Sequence, residues 1–314
     1  MEIHTSRDFG LAQANDIFRS LEDTFTTNEQ EIEIDLSNLR WIEPIGFVLL
    51  ASVGFHLARQ RKEVKFIMPS DNEMKKFLQR MDLYKTFNWD NGENFIRHNR
   101  TDSLQELTQI TSSGDIPSAV SRIQDILKTQ YTQDNNELLR MFNYTASELL
   151  ENVFHHAEAP DGAFICATVY PKKKLFQVAV ADSGIGIFDS LRKNKKIASS
   201  LYDEVIALSM AIKPHITCNP TDAPIYQDHG NAGEGLFWIT KFIEENEGTF
   251  YIHSGKAKLY IEQRKTTEEK APLWQGTVVV FQINLERIIS IVDIFNKYAP
   301  PQGDFDIIFD KNKR

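Results

Sequence analysis

The chain has 314 residues, 41% hydrophobic and 25% charged, with 15 Gly, 11 Pro and 2 Cys. That length predicts two domains, each with its own core, and the near-average composition excludes collagen, a low-complexity chain and wholesale disorder. The formal net charge of −9 withholds the positive field that gathers nucleic acid, so no nucleic-acid partner is expected.

At the N-terminus Glu2, His4, Arg7 and Asp8 break up any signal-like apolar run. Glu31 to Leu36 alternates polar and apolar residues, a strand of period two. Pro44 then opens an apolar helix, Ile45 to Arg59, at the first-turn position that proline tolerates. Its most apolar stretch, Phe47 to Phe55, is far too short to span a bilayer. Val64 to Met68 is a second strand, and Ser70 or Asp71 caps a helix running to about Met81. Strands alternating with helices predict a small α/β unit over residues 1–95. Polar residues around Asn91-Gly92 and Ser112-Ser113-Gly114 mark residues 96–115 as a linker.

The second unit begins with helices Ile116 to Thr129 and Asn135 to Ala157. Strands Phe164–Val169 and Phe176–Ala181 follow, joined by a Lys172-Lys173-Lys174 turn. The glycine turn Asp182 to Gly186 leads into a long polar segment ending at Gly233, whose Arg192–Lys196 cluster either faces a phosphate or is a solvated surface. Gly235 starts a helix to about Asn246, before strands Thr249–Ser254, Leu259–Glu262 and Thr277–Ile283. A helix from Leu285 to Lys297 and a tail occupy residues 286–314. Cys166 and Cys218 are too few for a disulfide framework or a zinc site. Mostly hairpin-connected strands make this unit a two-layer α/β sandwich rather than a parallel Rossmann sheet. The expected location is cytoplasmic, away from membranes.

Three motifs in the second unit carry chemistry. Glu148 and Asn152 stand four residues apart, so they share one helix face. A carboxylate beside a carboxamide suits a Mg²⁺ ion that keeps several waters, or a carboxylate that deprotonates a nucleophile. Asp182-Ser183-Gly184-Ile185-Gly186 follows an apolar strand, placing a carboxylate and two glycines where the backbone can approach a ligand closely. Gly230 to Gly235 runs into a helix, offering unpaired amides and the positive end of a dipole to phosphates. Trp238 stands where a dinucleotide fingerprint needs its third glycine, and Gly255-Lys256 is followed by Ala257, so neither a dinucleotide fold nor a P-loop is read here.

Glu148…Asn152, then Asp182-x-Gly184-x-Gly186, then Gly233-x-Gly235 opening a helix resemble the N, G1 and G2 boxes of the GHKL ATPases. That family includes gyrase B, the Hsp-type chaperone ATPases, histidine kinases, MutL and the anti-sigma-factor serine kinases. The resemblance spans Ile116 to Leu285 and implies a sandwich of Bergerat type that binds ATP with Mg²⁺. By position, Glu148 resembles the general base and Asn152 the Mg²⁺ ligand. Asp182 resembles the adenine-reading aspartate, with Gly184 and Gly186 shaping its pocket. Gly233 and Gly235 resemble the phosphate-contacting glycines, and Thr277, after Gly276, the threonine that supports the adenine site. Residues 187–232 correspond to the ATP lid.

His155-His156 after Asn152 is similar to the anti-sigma kinase pattern, and no dimerisation helix with a phosphoacceptor histidine is found, so a conventional histidine kinase is disfavoured. The first unit resembles a STAS domain in Asp35-Leu36-Ser37, the helix opening at Glu43-Pro44-Ile45-Gly46, strand Val64–Met68 and Met81 to Phe87. Pro44-Ile45 carries no hydroxyl where STAS antagonists have their phosphorylated serine, so the unit reads as a degenerate docking domain or as a generic small α/β domain. The resemblances together imply Mg-dependent ATP hydrolysis, or phosphoryl transfer to a protein Ser or Thr, in a bacterial regulatory system. The alternative is a nucleotide-gated interaction switch with negligible turnover. A protein partner at the first unit is implied, and a homodimer stays open.

Overall fold

The structure, a computed structural model, describes residues 1–89, 93, 95, 103–130, 136–218, 234–287 and 289–298. It is a mixed α/β protein with two principal sheets. In the first unit β1 (Glu2–His4), β3 (Glu31–Asp35) and β5 (Glu63–Ile67) form a parallel sheet in the order β1-β3-β5. β2 (Asp8–Phe9) and β4 (Trp41–Ile42) pair separately, also parallel. Helices α1 (Ala14–Leu21), α2 (Pro44–Arg59), α3 (Asn72–Arg80) and α4 (Leu83–Thr86) complete the unit. Asp71 is the cap of α3, its carboxylate accepting the N–H groups of Glu73 and Met74 at 2.7 and 3.0 Å.

In the second unit α5 (Ile116–Gln130) and α6 (Asn136–Asn152) precede a hairpin of β7 (Ala163–Tyr170) and β8 (Leu175–Asp182). Short helices α7 (Gly186–Arg192) and α8 (Glu204–Ala211) follow, then α9 (Gly235–Glu245). The long hairpin of β9 (Thr249–Glu262) and β10 (Lys265–Asn284) and the helix α10 (Ile291–Tyr298) end the described chain. With β6 (Leu104–Ile110) the strands form an antiparallel sheet in the order β6-β7-β8-β10-β9. Among the described residues no helix is long and apolar enough to cross a membrane.

Three expectations change. The stretch 96–115 is not simply a linker, because β6 within it is an edge strand of the large sheet. Its register shift between Gln105 and Thr108 breaks the two-residue alternation by which a strand is recognised. The first unit does not have a core of its own: its buried residues form one cluster with a face of the large sheet. Residues 163–167, 169, 176 and 178–182 of the β7–β8 hairpin are buried, so neither face of the sheet is left for solvent. One face is covered by α5, α6 and α9, while α2 packs across β7 and β8 on the other. Thirteen of the sixteen α2 residues are buried, as a helix apolar all round requires. Third, the long polar segment is not featureless where it is described, at residues 187–218. Within them α8, capped by Asp203 (Ile206 N–H to Oδ1, 2.9 Å), lies on β9. Leu191, Leu201, Ala207 and Ala211 gather there into a small core.

The C-terminal helix starts at Ile291 rather than Leu285. It is tied down by Glu245, whose Oε1 accepts from Lys297 Nζ at 2.8 Å and from the Tyr298 hydroxyl, and by Glu137, which accepts the Ile291 N–H at 3.0 Å.

Candidate functional site

A cleft opens between α6, α9 and the end of the large sheet. Glu148, Asn152, Asp182, Gly186, Gly235 and Thr277 all line it. Four chain segments far apart in sequence thus meet at one place. Gly184 lies just behind the lining, its N–H donating to Asp182 Oδ1 at 2.8 Å. Gly233 lies outside the described residues.

Helix α6 supplies one wall. Leu138, Phe142, Leu149 and Leu150 anchor it in the core, which leaves Glu148 and Asn152 half-buried toward the cleft. After Asn152 the helix widens into a π-helical turn, Val153–Ala157, a distortion frequent at functional sites. Burial, reinforced by the neighbouring Glu151 carboxylate, pushes the Glu148 carboxyl up to about 7. A carboxylate tuned to that value is half ionised near neutrality, where a general base is most effective.

Asp182 supplies the deep end, only 3% exposed at the end of β8. Burial pushes its carboxyl up to about 7 against the opposing pull of N–H donors from Gly184 and Thr277. The adjoining β10 must pass close to it. A Cβ on Gly276, whose φ is +101°, would lie 2.3 Å from the Asp182 carbonyl oxygen, so only glycine fits. Ser254 on β9 ties the corner together. Its hydroxyl donates to the Gly276 carbonyl at 2.9 Å, accepts the Ile187 N–H at 2.8 Å, and sits 3.3 Å from Thr277 Oγ1.

The opposite end is the start of α9. Gly235 is its first residue, and among the described residues no side chain caps the helix, so its N-terminus presents the positive end of a dipole to the cleft. Glu234, just before it, is engaged elsewhere: it accepts from Trp238 Nε1 at 3.1 Å and pairs with His215 at 3.0 Å. The side walls are apolar, including Val180, Leu191, Ile216, Ile252 and Val279. Such a cleft, with few convergent polar groups in an apolar lining, has the chemistry of a small-ligand site.

Sequence reasoning missed four contributors. Ser254 joins only because the β9–β10 register sets it opposite Thr277, a pairing no local pattern reveals. Cys218 lines the cleft with its Sγ 3.0 Å from His156 Nδ1, and burial pushes that imidazole below the usual histidine range. Ala211 and Ile216 come from the stretch assigned to a lid. A signal for α8 was present in Asp203 followed by Val205, Ile206, Leu208 and Met210.

A Mg²⁺ ion bound with phosphate keeps much of its shell as water and phosphate oxygen, so it needs few protein ligands. The pair Asn152 and Glu148, an amide oxygen beside a carboxylate, is a donor set of that kind. Among the described residues, the one cluster of three His, Cys, Asp or Glu able to hold an ion is Glu2, His4 and Asp35 in the first unit, outside the cleft.

A comparison with protein-family models finds no match for the chain, and a comparison with curated proteins finds none. What the chain shows is a mixed α/β fold with an apolar cleft lined by two carboxyls of raised pKa.

Proposed function

We propose that this chain is a GHKL-type protein that binds ATP with Mg²⁺ in the cleft and turns it over. The observation that carries the reading is the convergence of Glu148, Asn152, Asp182, Gly186, Gly235 and Thr277 on one cavity, since chance motifs would scatter.

On this reading Asp182 accepts a hydrogen bond from the exocyclic amine of adenine while Val180, Ile252 and Val279 bury the ring. The open N-terminus of α9 faces the phosphates. Asn152 would hold the Mg²⁺, which would supply charge neutralisation during the transfer. Glu148 takes the proton from a water, or from a Ser or Thr hydroxyl on a protein substrate. That oxygen bonds to the γ-phosphorus as the β–γ bridging oxygen leaves with ADP. Positioning and charge stabilisation do most of the work in such transfers. A bacterial regulatory system with a protein partner at the first unit is the setting this reading implies.

Incubation with γ-labelled ATP and Mg²⁺, with and without cell lysate, tests the reading, because label moves to inorganic phosphate or to a protein. Millimolar ATP is also expected to raise the melting temperature, because a ligand specific to the native state at about 100 times its Kd adds about 2.7 kcal/mol. An unchanged melting temperature would overturn the assignment.

A second reading draws on the small core of Leu191, Leu201, Ala207 and Ala211 beside the cleft. A wall with its own packing can shift as a body, which suits a nucleotide-gated switch with negligible turnover. Limited proteolysis between residues 187 and 232 would then differ with and without ATP while ADP fails to accumulate.

A further inference from the structure

The first unit reaches the back of the turn that holds Asp182. Trp274, on β10, is fully buried, and its indole Nε1–H donates to the main-chain carbonyl of Asp182 at 3.3 Å. The same indole stands edge-on to Phe18 of α1 (centroids 5.4 Å apart, planes at 84°) and to Phe25 (5.0 Å, 79°). The N–H of Leu273, next to it, donates to Glu22 Oε2 at 3.0 Å. One residue beyond Asp182, the Ser183 hydroxyl donates to Asp161 Oδ2 at 3.2 Å. That same oxygen accepts from Nη1 of Arg59, on α2, at 2.5 Å. Asp182 and Ser183 are therefore each backed by a side chain whose own position is set by the first unit.

We infer that Trp274 is a positioning residue for the Asp182 carboxylate, and that through it Phe18 and Phe25 of the first unit set how well the cleft discriminates between nucleobases. The geometry leaves little slack. Asp182 is gripped at its carboxylate by the Gly184 N–H at 2.8 Å and at its carbonyl by the indole, with Gly276 pressed against it. Trp274 and Thr277 flank a register shift of β10 against β9, and such irregular strand segments re-aim the side chains around them. Displacing the indole therefore moves both the carboxylate and the Thr277 amide that donates to it. A site built to pair a polar group on its ligand rejects ligands lacking that group strongly, and the rejection depends on where the protein's own polar group is held. The inference rests on the nucleotide reading of the cleft.

Two variants of the full chain test it. Trp274→Phe keeps a ring between Phe18 and Phe25 and removes the N–H donor. Phe25→Leu loosens the first-unit end without touching Asp182. Affinities for ATP and GTP are measured by calorimetry, and amide hydrogen exchange is followed without nucleotide at residues 182–187, with residues 164–168 of β7 as the internal control. Loss of one buried hydrogen bond predicts ATP binding weaker by roughly three- to tenfold in Trp274→Phe, with GTP binding unchanged, so the ATP:GTP ratio falls. Faster exchange at Gly184 with unchanged β7 is expected in both variants, smaller in Phe25→Leu. Equal weakening of both nucleotides, or faster exchange throughout β7, would reveal a general loosening and overturn the inference. So would unchanged exchange at residues 182–187 in both variants, whether or not ATP binds. A wild-type chain that binds no ATP while Gly184 exchange responds would remove the nucleotide reading and leave the positioning role of Trp274 in place.

Discussion

Gly235→Ala separates stability from chemistry. A Cβ built on Gly235 would lie 2.3 Å from Glu148 Oε2 and 3.2 Å from Glu148 Cδ, where ordinary contact begins near 3.4 Å. The atom in the way is the end of a flexible side chain, so the fold absorbs the change and the Glu148 carboxylate retreats by about 1 Å, a misplacement that costs a reacting group on the order of 10²-fold in rate. Gly235 opens α9, and alanine is the better helix former, so the native state is expected to gain about 0.5 kcal/mol. Urea unfolding and γ-phosphate release, measured in the same buffer, read both effects. The expected pair is an unchanged or higher unfolding midpoint with turnover down about 100-fold. Turnover within twofold of wild type would refute the reasoning, because Glu148 would then be free to work from a different position.

Glu148→Gln is expected to keep ATP binding and lower turnover by about 10²–10⁴-fold. Because the Glu148 carboxyl lies at about 7, wild-type turnover should rise with pH up to that value and then level off, whereas the residual rate of the variant should stay flat. Asp182→Asn tests the buried carboxyl through stability. Its folded pKa of about 7 lies above the ordinary 3.8, so the folded state holds the extra proton between those values and its stability falls as pH rises through them. The variant, having no proton to lose, should gain on wild type from pH 5 to pH 8 in urea unfolding without nucleotide; an equal difference at both pH values would contradict the assignment. Arg80→Ala strands Glu106, a 6% exposed carboxylate bridged to both Arg80 and Arg122. With the half-exposed Arg122 still present, destabilisation of about 2–3 kcal/mol is expected from urea unfolding.

Elements with local signals were legible in the sequence. Pro44 marked the start of α2, the pair Ser70 and Asp71 the cap of α3, which is Asp71, and the three lysines the β7–β8 turn. The spacing of Glu148 and Asn152 put both on one face of α6, and both line the cleft. What escaped was non-local. The β6 strand was hidden by its register shift, and β9 and β10 appeared as shorter strands because Gly255 and the register shifts around Trp274 interrupt their pattern. The doubly covered sheet was announced only by the composition of the β7–β8 hairpin, where Ala-Phe-Ile-Cys-Ala and Val-Ala-Val-Ala leave no polar face. That signal concerns what the strands must be covered by, and nothing within them says that α2 does it.

The placement of α2 across the large sheet also governs how the chain can be taken apart. Expressing the second unit alone would strip the cover from Phe164, Cys166, Ala179, Ala181, Val278 and Val280, which share a core with α2, and leave an adhesive apolar slab open to water. A truncation at the apparent boundary is therefore expected to yield inclusion bodies rather than a folded fragment. Domain transplantation will succeed only when the graft carries Pro44 to Arg59, or a helix of matching shape, along with it.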